Sequence, residues 1–436
     1  MTIFAGLVNP LVLLLGSFFV LIALRVNIGF ALIIASVLVI LVEDLPLASV
    51  VNQMYGGTNS FTLLAVPFFM FLGRLLNEGS ITQRLLAVAD GTVGHIKGGL
   101  GHVNVFVSMV FASLSGSAAA DTASIGSILI PAMKRAGYDA AFAAALTAAS
   151  STLGVIIPPS IILIVYGAFG NVSIGALFLG GVVPGVVIGI FMIAYTYLVA
   201  IRRDYPANPF PGFRIMGKAI WRGLAPLMIP VIVLGGIVGG VFTPTEGAIA
   251  AVGWALLLSF VLYRDVPLRR LPTMLGAAVI DFSVPLFTVA GAGIFGWLIA
   301  YLGASEIVTN FILAQTENPY GIMLLLIGFL VLVGTVLNPI SAVLIFLPII
   351  QALGTRAGIH PVHLGVLTTV VLSVGLITPP YGICLLIASQ IAGVRIGRAM
   401  LAVAPICAIT ILIACLSLWL PGIILGLPRL LAPALF

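Results

Sequence analysis

The chain has 436 residues, 61% of them hydrophobic and only 7% charged, where a soluble protein carries about 25% charged residues. That composition excludes a soluble globular enzyme or binding module. The net charge of +6 does not point to nucleic acid, because the basic residues gather at the ends of apolar runs, as the positive-inside rule requires of membrane helices.

Residues 140–201, 318–355, 357–394 and 399–428 contain no Asp, Glu, Lys or Arg, and one crossing takes about 20 apolar residues. The chain therefore reads as an all-α polytopic membrane protein. Spans are predicted near 7–24, 28–42 and 61–76, followed by an apolar block at 100–133 and spans near 140–169 and 175–201. Arg25 closes the first apolar run, which suits a transmembrane helix better than a cleaved leader. The polar stretch 77–99, with Arg84 and Lys97, reads as a surface helix. A basic linker, 202–222, separates the halves. The second half is predicted to hold spans near 223–242, 245–263 and 274–302, a block at 319–353, and spans near 362–391 and 400–426. Cys384, Cys407 and Cys415 lie in apolar segments and form no metal or disulfide spacing. No phosphate-binding loop of the G-x-x-x-x-G-K-[ST] type occurs.

Each half thus holds five crossings and one block of a different kind. If both blocks are re-entrant hairpins and the N-terminus lies outside, all of the 18 lysines and arginines except Arg356 and Arg429 fall on the cytoplasmic side. Letting either block cross fully inverts everything after it and spoils that segregation. An odd number of crossings per half also makes the second half enter from the opposite face. The division expected is a first inverted repeat over 1–201, the cytoplasmic linker, and a second repeat over 223–436. Helices of 1–60 and 223–270 would form a scaffold, and the hairpins 100–133 and 319–353 with the helices 140–169 and 362–391 a transport unit.

The repeat is visible in residues. "GVIIPP" begins at Gly154 and "GLITPP" at Gly375, and the same 221-residue shift pairs Arg135-Ala136-Gly137 with Arg356-Ala357-Gly358 and Leu146-Thr147 with Leu367-Thr368. A proline removes an N–H and clashes with the carbonyl a turn earlier, while glycine permits a tight unwound backbone. Each motif should break its helix in mid-membrane, where bare backbone is tolerated only if buried in protein or lining a wet cavity. Freed carbonyls suit Na⁺ and half-helix N-termini suit an anion. A packing kink remains the plainer reading of one such motif; two at one offset favour a site.

The hairpin tips carry the same signal. "SLSGSAAADTAS" (Ser113 to Ser124) interrupts the first block and "GTVLNP" (Gly334 to Pro339) the second. Aligning Pro131 with Pro348 sets Asp121 opposite Asn338. A small-residue helix seam would explain the alanines but not the acid, since a central carboxylate costs about 2.5–3.5 kcal/mol on insertion scales. Asp121 is read as organising the tip or standing near a cation. Asp281 is expected near the start of its helix, in a structural role, and His360 and His363 at an interface. No intramembrane Lys or Arg is available near the tips to neutralise an anion.

"SGSAAADTASIGSILIPAMKRAGYD" (Ser115 to Asp139), "SSTLGVIIPPSIILIVYG" (Ser150 to Gly167), "FLPIIQALGTRAGIHPVHLGVL" (Phe346 to Leu367) and "GLITPPYGICLLIAS" (Gly375 to Ser389) resemble the large membrane subunit of tripartite ATP-independent periplasmic (TRAP) transporters. The resemblance spans nearly the whole chain. It implies an elevator-type secondary transporter, not an enzyme, sitting in the bacterial inner membrane. It also implies import of a small organic anion such as a C4-dicarboxylate or sialic acid, with Na⁺ as coupling ion. Two partners are implied: a separate small four-helix membrane subunit and a periplasmic substrate-binding protein. Carried onto this sequence, one Na⁺ site would lie between Ser115 and Ser117 of the first tip and Gly154, Ile157 and Pro158. The other would lie between Gly334 and Asn338 of the second tip and Gly375, Thr378 and Pro379. Substrate would meet Ser117, Ala118, Pro159, Thr335, Asn338 and Thr378. Asn338 departs from the Asp often expected there. Other readings are a stand-alone Na⁺- or H⁺-coupled anion carrier of similar inverted-repeat fold, a channel with two half-spanning hairpins, and a purely structural subunit.

Overall fold

A computed structural model describes residues 9–433. The first two residues of the span expected at 7–24 and the last three of the second repeat lie outside this range. Among the described residues all regular structure is helical. In the first half α1 (Pro10–Ala23), α2 (Ile28–Val42), α3 (Ala48–Thr58) and α4 (Ala65–Glu78) lead to α5 (Ile81–Val93). There follow α6 (Gly99–Ser115), α7 (Ala118–Arg135), α8 (Ala140–Ser151), α9 (Ile161–Gly170) and α10 (Ile174–Arg202). The second half has α11 (Phe213–Val238), α12 (Pro244–Leu256), α13 (Leu271–Tyr301) and α14 (Ala304–Gln315). It continues with α15 (Pro319–Val336), α16 (Pro339–Arg356), α17 (Pro361–Gly375), α18 (Ile383–Ala392), α19 (Ile396–Trp419) and α20 (Gly422–Leu431).

Helix starts are set by residues that satisfy orphan backbone donors. Asn27 accepts from Gly29 N, Asp139 from Phe142 N and Ser160 from Leu163 N. Thr243 and Glu246 form a reciprocal capping box at α12. Outside the apolar belt, the Lys97 ammonium lies 2.7 Å from Asp204 and holds that carboxyl below its usual range.

Packing repeats between the halves. α1 lies on α2 as α11 lies on α12, and α2 packs on α13 as α12 packs on α4. α6 with α7 and α15 with α16 are helical hairpins whose arms pack on each other. Each hairpin packs on its own half's first broken-helix segment, α6 on α8 and α15 on α17. The later segments cross over: α9 lies on α16 and α18 on α7. The core is therefore interlocked across the repeat rather than built from two separate bundles.

Three helices escape the hydropathy reading. α3 is short and polar, α14 holds Glu306, and α20 is an amphipathic helix of ten residues. The span expected at 400–426 ends at Trp419, because Pro421 cannot continue the helix. His363 is not interfacial: it is 2% exposed, since every residue of α17 from Val362 to Gly375 is covered.

Candidate functional site

Both proline motifs break their helices. After α8, a tight turn over Thr152–Val155 unwinds into residues 156–160 before α9. After α17, residues 376–382 are irregular before α18. Pro158–Pro159 and Pro379–Pro380 are both cis. Glycines let backbone meet backbone at these points. Gly116 bends the first tip with φ +64°, and a methyl there would come within 2.9 Å of Pro159 O. A methyl on Gly375 would overlap the Gly334 carbonyl, so the second tip rests directly on the second break.

The first tip is organised by Asp121, in the first turn of α7, where the helix N-terminus favours an anion. Its Oδ1 accepts from Ser115 Oγ at 2.5 Å, which closes the bend over Gly116 and Ser117. Its Oδ2 is buried with no hydrogen-bond partner among the described residues. That oxygen faces the break: a methyl on Gly154 would lie within 2.5 Å of it and 3.5 Å from Ala118 N. At the second tip Asn338 caps α16, its Oδ1 accepting from Ile340 N at 2.9 Å. Its Nδ2 donates to Tyr381 Oη at 2.9 Å, and Tyr381 N donates to Thr335 O at 2.7 Å.

Both tips and both breaks meet at one cavity of about 190 Å³, whose wall includes Ser117, Ala118, Val155, Asn338, Leu376 and Tyr381. Ser117 also lines a larger cavity of about 620 Å³ beside it, walled by Arg74, Asn77, Glu78, Ser115 and Asp281. Of the residues singled out in the sequence, Ser117, Ala118 and Asn338 line the small cavity. Pro159, Thr335 and Thr378 line neither cavity. The Thr335 and Thr378 hydroxyls turn back on Leu332 O and Val374 O. Ile157 packs its side chain on Gly185 of α10, and Pro158 is buried; Pro379 is half-buried.

One expectation changes. Asp281 is the eleventh residue of α13, not one of its first turn, and its Oδ2 takes an ion pair from Arg74 of α4 at 2.5 Å. Arg74 thus stands, already paired, in the wall that Ser115 and Ser117 share. The pair joins residues 207 apart in sequence, so no local pattern announces it. Tyr381 was also missed as a site residue, although it directly follows the second proline pair. Met70 and Pro285, which line both cavities, carry no polar signal.

A multi-pass helical bundle with paired hairpins and paired broken helices closing on one central cavity is the architecture of a membrane transporter. The chain belongs to the family of the tripartite ATP-independent periplasmic transporter DctM component, whose model matches residues 15–423. It is 36% identical over 404 residues to the sialic acid TRAP transporter large permease protein SiaM of Vibrio cholerae, covering 92% of this chain and 95% of that one. It is 34% identical over 381 residues to the C4-dicarboxylate TRAP transporter large permease protein DctM of Pseudomonas aeruginosa, covering 87% and 89%. Among solved structures, the Alcanivorax borkumensis YdaH transporter superposes with a TM-score of 0.59 at 14% identity, over 86% of this chain and 87% of that one. That likeness concerns the fold.

Proposed function

We propose that this chain is the large permease subunit of a Na⁺-coupled importer of a small organic anion, moving its cargo by elevator-type alternating access across the bacterial inner membrane. One observation carries the reading: both tips and both breaks converge on a single cavity, and the unpartnered Asp121 Oδ2 faces Gly154 in the tight turn that opens the first break. A carboxylate oxygen next to freed carbonyls is a hard-oxygen environment suited to Na⁺. The second cation would sit at Gly334, Asn338, Gly375 and Pro379, with neutral oxygens only.

The anion would lie between Ser117 and Asn338, facing tip N–H groups, with bound Na⁺ and the helix N-termini supplying positive potential. This gives a physical reason for coupling, because the cavity wall beside Asn338 and Tyr381 carries no fixed cation. The larger cavity holds Arg74 and Glu78, which the charge distribution places on the cytoplasmic side. It then corresponds to an exit vestibule, and the arrangement to an inward-facing state. Relatives named for sialic acid and for C4-dicarboxylates support a carboxylate cargo. Family membership implies a small membrane subunit and a periplasmic binding protein as partners.

The test is uptake into proteoliposomes of radiolabelled succinate and sialic acid, with a small membrane subunit and a periplasmic binding protein of this family added as partners. Uptake should require an inward Na⁺ gradient and both partners. Full uptake without the partners would support a stand-alone carrier instead, and currents without saturation a channel.

A further inference from the structure

A second concavity lies away from the tips. Between α5 and the first turns of α11 runs a groove of about 600 Å³, walled by Ser80, Arg84, Asp90, Lys218 and Arg222. Three cations face one carboxylate, and Asp90 already accepts from Asn208 Nδ2 at 2.9 Å. Lys218 and Arg222 are four residues apart on α11 and so share a face. Arg84 comes from the other wall and is held in place: its guanidinium lies 3.7 Å from the Tyr263 ring centroid, and its Nε donates to Ser80 Oγ at 3.0 Å. The ion pairs among the described residues use Arg74, Lys97, Arg203 and Arg270, so these three cations form none; the acids nearby are Asp90 in the wall and Asp265, whose Oδ2 accepts from Ser80 N at 2.8 Å.

α5 and α11 pack on each other, a methyl on Gly91 falling at ordinary contact distance, 3.7 Å, from Ala219 Cβ. Phe213, Ile215 and Trp221 project from the same turns of α11, 78%, 61% and 76% exposed. Such side chains belong at the level where acyl chains meet headgroups. The positive-inside rule accounts for basic residues near this surface. It does not account for three of them converging from two distant segments onto one hollow.

We propose that this groove is a binding site for the phosphodiester headgroup of an anionic phospholipid, with Arg84, Lys218 and Arg222 as its ligands and the exposed aromatics against the acyl chains. Juxtamembrane basic clusters take anionic headgroups in this way. The site is independent of what the protein transports.

The experiment is native mass spectrometry of the purified full chain, titrated with phosphatidylglycerol, cardiolipin and phosphatidylethanolamine. The anionic lipids should be retained over phosphatidylethanolamine, and Lys218→Gln/Arg222→Gln should weaken that retention about fivefold per charge removed. Asp90→Asn removes the one carboxylate in the wall and should tighten retention, a gain that misfolding cannot imitate. Arg269→Gln/Arg398→Gln, outside the groove, should leave it unchanged. Equal loss in that control would reduce the effect to general surface charge and overturn the site. Displacement of the lipid by inorganic phosphate would make the groove a soluble-anion site and overturn the lipid assignment.

Discussion

Asp121 has one carboxylate oxygen held by Ser115 and the other turned, without a partner, toward Gly154. If that oxygen binds Na⁺, NaCl should raise the midpoint of thermal unfolding relative to KCl, since a ligand of the native state stabilises it by mass action. Asp121→Asn keeps the size and the bond to Ser115 but removes the charge. It should raise the half-saturating Na⁺ concentration at least about tenfold, which corresponds to about 1.4 kcal/mol. An unchanged Na⁺ response would confine Asp121 to closing the tip. Glycines give a sharper contrast. Gly375→Ala drives a methyl into the Gly334 carbonyl, and overpacking of this kind costs about 1–3 kcal/mol. Gly253→Ala in α12 meets nothing within 4 Å and should stabilise by up to about 1 kcal/mol through helix propensity. Fluorescence-monitored unfolding in detergent distinguishes the two. The acid and the glycine-proline motifs were legible from residue type alone. Tyr381 was not, because its role comes from a bond to Asn338, 43 residues away.

Among the elements, α4 and α13 are joined across the wall of the larger cavity by Arg74 and Asp281. The Arg74 and Asp281 side chains are 37% and 42% exposed, and a pair that open to solvent contributes at most about 1 kcal/mol. A double-mutant cycle with Arg74→Gln and Asp281→Asn should therefore give a coupling energy of that size or less. A coupling above about 3 kcal/mol would mean that the pair is desolvated and holds the two helices together. Helix identity was largely readable here, because long apolar runs between charges leave few choices. The exceptions have physical reasons. α3 and α14 are too short or too polar for a hydropathy window, and a window also runs through Pro421 without registering that it ends α19. Asp281 was misplaced because the start of α13 lies ten residues earlier, behind Pro272.

For the molecule as a whole, the pairing of α9 with α16 and α18 with α7 ties each broken helix to the opposite hairpin. An inverted repeat requires that Arg135 and Arg356, equivalent in sequence, lie on opposite sides of the membrane. With Cys384, Cys407 and Cys415 replaced, Arg135→Cys should react with an impermeant maleimide only from the cytoplasmic side, and Arg356→Cys only from the periplasmic side. Labelling of both from one side would remove the inversion. Composition, charge placement and the repeated Gly-x-x-x-Pro-Pro motif by themselves determined a multi-pass helical membrane protein of two related halves. They did so because hydrocarbon admits little but helices, and proline and glycine act on the backbone locally. Only the tertiary structure decided which oxygens share a cavity, that Arg74 pairs with Asp281, and that basic residues of α5 and α11 converge on one groove. Those facts depend on contacts between segments far apart in the chain, and no local pattern of residues encodes them.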